Sequence, residues 1–294
     1  GRGLDLKPYA VATAESFPGR GDDRTRVTGN AGLDLFYSPT PGLRTNLTIN
    51  TDFAQTEVDQ RLTNLTRFPT FFPEKRDFFL DGSTFFDFQS TSAFGNSLLP
   101  FFSRRIGLDA GGNPQKVDAG GKLAGQFGRT DVGALYVRTG REERTGRDGQ
   151  KQTVLGEDFA VMRAKRRILR QSYVGGLYTV RNIRGSSAQS RQTVGADFLL
   201  ATSSFLGSEQ LSLGGFFVNT SNPAKTGKNN AFGVQLDYPN DPWNVGIAYR
   251  EIQANYDAAV GFTPRTGFRW LGAGGGRTTR PRSHRWIRTI DYGT

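Results

Sequence analysis

With 294 residues and 38 Lys and Arg against 27 Asp and Glu, the chain has room for one large domain or two ordinary ones and carries a net charge of +11. It has no cysteine and a single histidine, which excludes disulfides, thiol catalysis, Cys-based metal sites and His-based zinc sites. Mean hydropathy is −0.50, and no apolar run approaches the roughly 18 residues of a spanning helix, so a helical membrane protein is excluded as well.

Within those bounds a Ser-His-Asp triad has one candidate base, His284, and it stands in the basic, turn-like "TTRPRSHRW", where an exposed surface role is expected. The cations are spread along the chain, with small clusters such as "RAKRR" (163–167), and no nucleic-acid motif accompanies them. Solvated surface comes first as their role and an anionic membrane face second; no nucleic-acid partner is expected. Gly1 opens the chain without Met, basic start or apolar stretch, as in a mature protein or an excised fragment.

The dominant pattern has period two. In chain order the spacing predicts strands at 4–14, 26–38, 43–53, 116–128, 131–139, 158–167, 172–183, 194–200, 208–220, 231–238, 243–250, 266–278 and 284–292. In "LRTNLTINTDF", Leu43, Thr45, Leu47, Ile49, Thr51 and Phe53 share one face, against Arg44, Asn46, Thr48, Asn50 and Asp52. "AFGVQLDY" sets Phe232, Val234, Leu236 and Tyr238 against Ala231, Gly233, Gln235 and Asp237. "WNVGIAYR" and "VGADFLL" repeat the arrangement. The patterns at 116–128 and 158–167 are the least regular, the second because "RAKRR" breaks its apolar face.

Short joins at 38–42, 129–130, 168–171, 204–207 and 239–241 alternate with long ones at 15–25, 54–115, 140–157, 184–190, 221–228 and 253–265. Transmembrane barrels alternate brief turns at one end with large loops at the other. A sandwich with Greek-key connections has no reason to segregate loop length in this way. The predicted fold is therefore all-β: an antiparallel transmembrane (outer-membrane) β-barrel forming one domain over 1–294, with 54–115 inserted as a plug or cap. Its apolar face would meet lipid and lipopolysaccharide, with Tyr37, Tyr238, Trp243 and Tyr249 as interfacial aromatics. An odd strand number, and an end in "TIDYGT" without a terminal aromatic, lead to the expectation of an incomplete portion of a barrel.

The insert contains "RFPTFFPEKRDFFLDGSTFFDF" (67–88), eight phenylalanines around the charged knot Glu74-Lys75-Arg76-Asp77, at neither helical nor strand spacing. Together with "NTDFAQTEVDQ", "NLTRF" and "FFSRRIG" this block resembles the bacterial outer-membrane family DUF5916, as do "GKLAGQFGRTDVGALYVRTG" and "NYDAAVGFTPRTGFRW" downstream. The second of these departs from the family at Ala258, where proline is usual. The resemblance implies an outer-membrane barrel commonly preceded by a family-9-type carbohydrate-binding domain, with no established activity.

Two readings of the insert follow. In the first, Asp52, Gln55, Glu57, Asp59, Asn64, Arg67, Glu74, Lys75, Arg76, Arg104 and Arg105 form a polar network inside the barrel, and the phenylalanines make a small core of their own. No catalytic residue, cofactor or metal is then expected, and the function is passage or capture of glycans or other polar solutes at the cell surface. The rival is a cell-surface carbohydrate-active hydrolase with its acid and base among Asp52, Glu57, Asp59 and Glu74. A third possibility is a structural barrel that anchors the carbohydrate-binding domain. "RGD" (20–22) reads as a turn, "NLT" at Asn46 and Asn64 as no glycosylation site, and "GAGGG" (272–276) as strand rather than phosphate loop.

Overall fold

The computed structural model describes residues 3–17, 24–50, 71–89, 98–109, 112, 115–145, 150–185, 190–281 and 286–293. Strands dominate them. The first three are β1 (Leu4–Phe17), β2 (Arg24–Thr40) and β3 (Leu43–Ile49), followed after the insert by β4 (Val117–Phe127) and β5 (Thr130–Thr139). Two short strands, β6 (Glu142–Thr145) and β7 (Lys151–Val154), precede β8 (Glu157–Arg167), β9 (Tyr173–Ile183) and β10 (Arg191–Phe205). The remainder are β11 (Glu209–Ser221), β12 (Asn230–Pro239), β13 (Trp243–Ile252), β14 (Phe268–Thr279) and β15 (Ile290–Gly293).

Thirteen of these form one antiparallel meander in chain order, while β6 and β7 make a separate hairpin between β5 and β8. That hairpin lies where the sequence predicts a plain join; strands of four residues are too short for a period of two to register. The last strand is predicted at 284–292 but observed only at 290–293, paired with Gly276–Thr279; residues 282–285, His284 among them, lie outside the described residues. "RAKRR" does not interrupt β8. Arg163 and Lys165 lie on the same face as Phe159 and Val161, and that face is covered rather than wet.

The joins 41–42, 128–129, 168–172, 206–208 and 240–242 fall at one end of the sheet, and the long joins fall at the other. The 280–289 join is the exception, ten residues at the short-turn end. An odd number of antiparallel strands leaves the first and last running the same way, so β1 and β15 cannot pair as antiparallel neighbours. They are the two edges of an open sheet among the described residues, as the odd strand number led one to expect.

The two faces differ sharply. On the inner face, which carries the insert, the side chains of Asn46, Thr48, Lys122, Val137, Phe159, Arg163, Thr179, Arg181, Asp197 and Val218 are buried. On the outer face Leu47, Ile49, Met162, Val194, Phe217, Val234, Leu236, Val245 and Ile247 are exposed, Met162 to 61%. The buried hydrophobic cluster joins insert residues Phe78, Phe79, Phe86, Phe88, Leu98 and Ile106 to wall residues of β4, β5, β8, β9, β11, β12 and β13.

Candidate functional site

The insert crosses the inner face as a chain of short turns. Asp77–Leu80 makes one helical turn, Ser83–Phe86 a 3-10 turn, and Ser103–Arg105 another. None is long enough to satisfy its own backbone, so side chains supply the partners. Glu74 and Arg76 do this first. Arg76 Nε and Nη2 donate to the two Glu74 carboxylate oxygens at 2.8 and 2.7 Å, and its other donors reach Ile106 O at 2.8 Å and Ser103 O at 2.9 Å. Ser103 Oγ donates to Glu74 Oε2 at 2.6 Å, and the guanidinium stacks on Phe79, 4.1 Å from the ring centroid. Burial pushes the Glu74 carboxyl up, but the bonds and charge of Arg76, with Ser103, outweigh it and hold the group below the usual glutamate range. Arg104 donates to Pro73 O at 3.0 Å beside Phe72. Lys75 is exposed. The knot ties 73–76 to 103–106, about thirty residues away.

The wall then grips the insert. Lys122 on β4 donates to the carbonyls of Phe78 and Asp81, which would otherwise be buried acceptors. Asp81 also accepts from Arg44 and, at 2.9 Å, from Asn46 on β3. Burial raises the Asp81 carboxyl, yet these neighbours bring it below the ordinary aspartate value. Deeper still, Arg163 on β8 and Asp197 on β10 form a two-pronged pair at 2.7 and 2.8 Å, both side chains 0% exposed. The pair bridges across β9 at Gly175. A Cβ there would stand 2.3 Å from the guanidinium and 2.6 Å from the carboxylate, so only glycine lets them meet.

This wall pair also holds the insert. Arg163 Nε donates to Asp87 O at 3.0 Å, Asp197 accepts from the Gln89 backbone at 3.0 Å, and Tyr173 donates to Gln89 Oε1 at 2.6 Å. Phe88 lies beneath the guanidinium and against Gly195, where a Cβ would come within 3.1 Å of the ring. Burial raises the Asp87 carboxyl above its ordinary value, against the pull of Lys165 and Arg163.

At the long-join end, residues 98–102 pair with the β13–β14 join: Leu99 exchanges backbone bonds with Phe262, and Phe102 N donates to Val260 O at 2.7 Å. A second two-pronged pair, Arg181 with Glu157 at 2.7 and 2.8 Å, lies nearby on β9 and β8. Asp257 accepts from Asn222 at 2.7 Å and faces Lys225 at 3.2 Å and Arg191 at 3.6 Å. Arg105 completes the group.

Of the polar network read from the sequence, Glu74 and Arg76 are in direct contact, and Arg104 binds the same knot through Pro73. Arg105 faces the separate cluster at the long-join end. Asp52, Gln55, Glu57, Asp59, Asn64 and Arg67 lie outside the described residues, as do Asn64 of the second "NLT" and the "RGD" segment. Asn46 of the first "NLT" is buried and bound to Asp81. The sequence reading does not place the wall residues Lys122, Glu157, Arg163, Arg181 and Asp197 in the site, and takes Arg163 only as part of the cluster "RAKRR". The available signal was charge at strand positions that share a face with buried apolar residues, as Arg163 does with Phe159 and Val161. No group of three or more His, Asp or Glu side chains suited to a metal occurs among the described residues.

Residues 2–135 match the sequence model of DUF5916, a domain of unknown function. The match runs from β1 through the whole insert and β4 into the first part of β5, somewhat under half the chain. No curated protein matches the chain.

Proposed function

We propose, with the DUF5916 match over 2–135 as premise, that the chain is the wall of an outer-membrane β-barrel whose insert occupies the lumen and that it captures or passes glycans or other polar solutes at the cell surface. The observation that carries this reading is the inverted dressing of the sheet: ion pairs and amides covered on the inner face, large apolar side chains bare on the outer one. Paired strands make that bare surface continuous, as at Leu35↔Leu47, Leu213↔Leu236↔Ile247 and Phe217↔Phe232. Proteins in water rarely expose contiguous apolar patches beyond a few hundred Å²; in a bilayer such a surface is the stable one.

Two details agree. Strands β4, β5 and β8 to β14 have 10 to 15 residues, against the roughly 9–11 needed for a tilted crossing. Tyr37, Phe127, Phe205, Tyr238 and Trp243 gather on outer positions near the short turns, as an interfacial girdle would. Of the carboxylates weighed for a hydrolase, Glu74 is engaged by Arg76 and Ser103 and its pKa is lowered, which suits it poorly to act as a general acid, while Asp52, Glu57 and Asp59 lie outside the described residues.

The test is depth-resolved quenching of a single-tryptophan protein retaining Trp243. Brominated lipid is expected to quench it strongly after reconstitution. A folded monomer that needs no detergent, with Trp243 untouched by lipid, overturns the reading. Planar bilayers then address passage: conductance is expected to be low with the insert intact and to rise when 54–115 is removed.

A further inference from the structure

Almost every cation on the inner face has a partner that accounts for it; Arg105 does not. Its guanidinium has no hydrogen-bond acceptor and no ion pair among the described residues, although its backbone is fixed by Arg105 N→Phe102 O at 3.0 Å and the next residue, Ile106, is fully buried. Phe102 is in turn bonded to Val260, three residues from Asp257, so the anchoring of Arg105 to the long-join end is covalently short and rigid.

The surroundings are over-supplied with positive charge. Arg105, Arg181, Arg191 and Lys225 face two carboxylates, Glu157 and Asp257. Glu157 is saturated by both prongs of Arg181. Asp257 is shared by Asn222, Lys225 and Arg191, the last at the long distance of 3.6 Å. Desolvation, followed by the charge of Arg181, draws the Arg105 pKa below its usual value, so the cation is held in a place that disfavours it. Asp257 and Glu157 attract the guanidinium without bonding to it; a half-covered guanidinium with no direct acceptor among the described residues is costly, and a bound anion would supply one. Planar forks of this kind match carboxylate, sulfate and phosphate oxygens two at a time.

We propose that Arg105, backed by Arg191 and Lys225, anchors the oxyanion group of an acidic solute at the long-join end of the lumen. This rests on the reading of the inner face as a solute-accessible lumen and specifies it: the preferred cargo is an acidic glycan or another oxyanion-bearing molecule rather than a neutral sugar.

The experiment is calorimetric titration of the full chain folded in detergent with trigalacturonate, its neutral methyl ester, a sulfated disaccharide and inorganic phosphate. The acidic sugar is expected to bind at least about tenfold tighter than its ester, with affinity falling as salt rises. Preference for one acid over the others identifies the oxyanion. Arg105→Gln is expected to lose that preference, Arg105→Lys to keep part of it, and Arg104→Gln to leave it unchanged. Heat-modifiability on gels checks that each variant is folded; if Arg105→Gln does not fold, the lysine variant and the acid-to-ester ratio of the wild type decide. Equal affinity for acid and ester, or wild-type affinity in folded Arg105→Gln, overturns the proposal. Lipid quenching of Trp243 in the same full-length protein separates the two readings: acid-selective binding with Trp243 untouched by lipid sinks the barrel reading alone, and lipid-quenched Trp243 without acid preference sinks the Arg105 site alone.

Discussion

The two faces of one sheet obey opposite rules. On the inner face charge is buried and matched almost atom for atom, as at Arg163–Asp197 and Arg181–Glu157, and aromatic rings arrive from the insert to fill the remaining space. On the outer face the side chains are larger, apolar and bare, with ion pairs such as Arg138–Asp158 and Arg269–Glu251 confined to the strand ends near the long joins. A water-soluble sheet sorts its residues the other way. The difference teaches that the insert supplies the core on one side, while the opposite side presents bare apolar side chains, the surface proposed above to face lipid.

That contrast can be broken at several points. The largest effect is expected from Asp197→Ala, which strands Arg163 in a fully covered site and removes an acceptor for Gln89; about 3–5 kcal/mol of stability should be lost in denaturant titrations. Replacing both partners, Arg163→Met with Asp197→Leu, should recover most of it, because the penalty belongs to the unpaired charge. Next comes Val234→Arg, midway along β12 on the outer face. In bilayers it should cost about 2–4 kcal/mol, which a face in water would not register; an effect within about 0.5 kcal/mol would mean that the face is wet.

A smaller contrast compares glycines on facing sides. Gly195→Val pushes into Phe88 and should cost about 1–3 kcal/mol, whereas Gly176→Ala, with only a 3.8 Å backbone neighbour on the outer side, should stay within about 0.5 kcal/mol. The mildest prediction concerns acid. Because the folded Glu74 carboxyl lies below its ordinary value, its contribution is complete above the usual glutamate range and is lost as pH falls through the lower folded value. Protease cleavage near 73–76 should therefore rise at the acid end, and Glu74→Gln should flatten that dependence; a variant that keeps the full acid limb would clear Glu74 of the role.

The thirteen strands of the main sheet, and the rhythm of long and short joins up to the join at 280–289, are legible in the sequence because a period of two and turn chemistry are local properties. The same holds for Leu47, Val234 and Ile247 on one face and Asn46, Asp237 and Gly246 on the other. The hairpin at β6 and β7 is not legible, since four-residue strands carry too little alternation. Of the site, the Glu74–Arg76 contact is readable from two nearby residues of opposite charge, but the partners of the insert on the wall are not. Arg163 and Asp197 are 34 residues apart, and Arg163 and the Asp87 carbonyl 76.

By itself, then, the order of residues determined an all-β meander with one apolar and one polar side, since alternation along a strand dictates which side chains share a face. Only the tertiary structure decided which insert residues cover the polar side, that Gly175 leaves a gap for an ion pair spanning three strands, and that Arg105 has no direct partner among the described residues. Those outcomes depend on which distant segments meet, and strand periodicity carries no information about that.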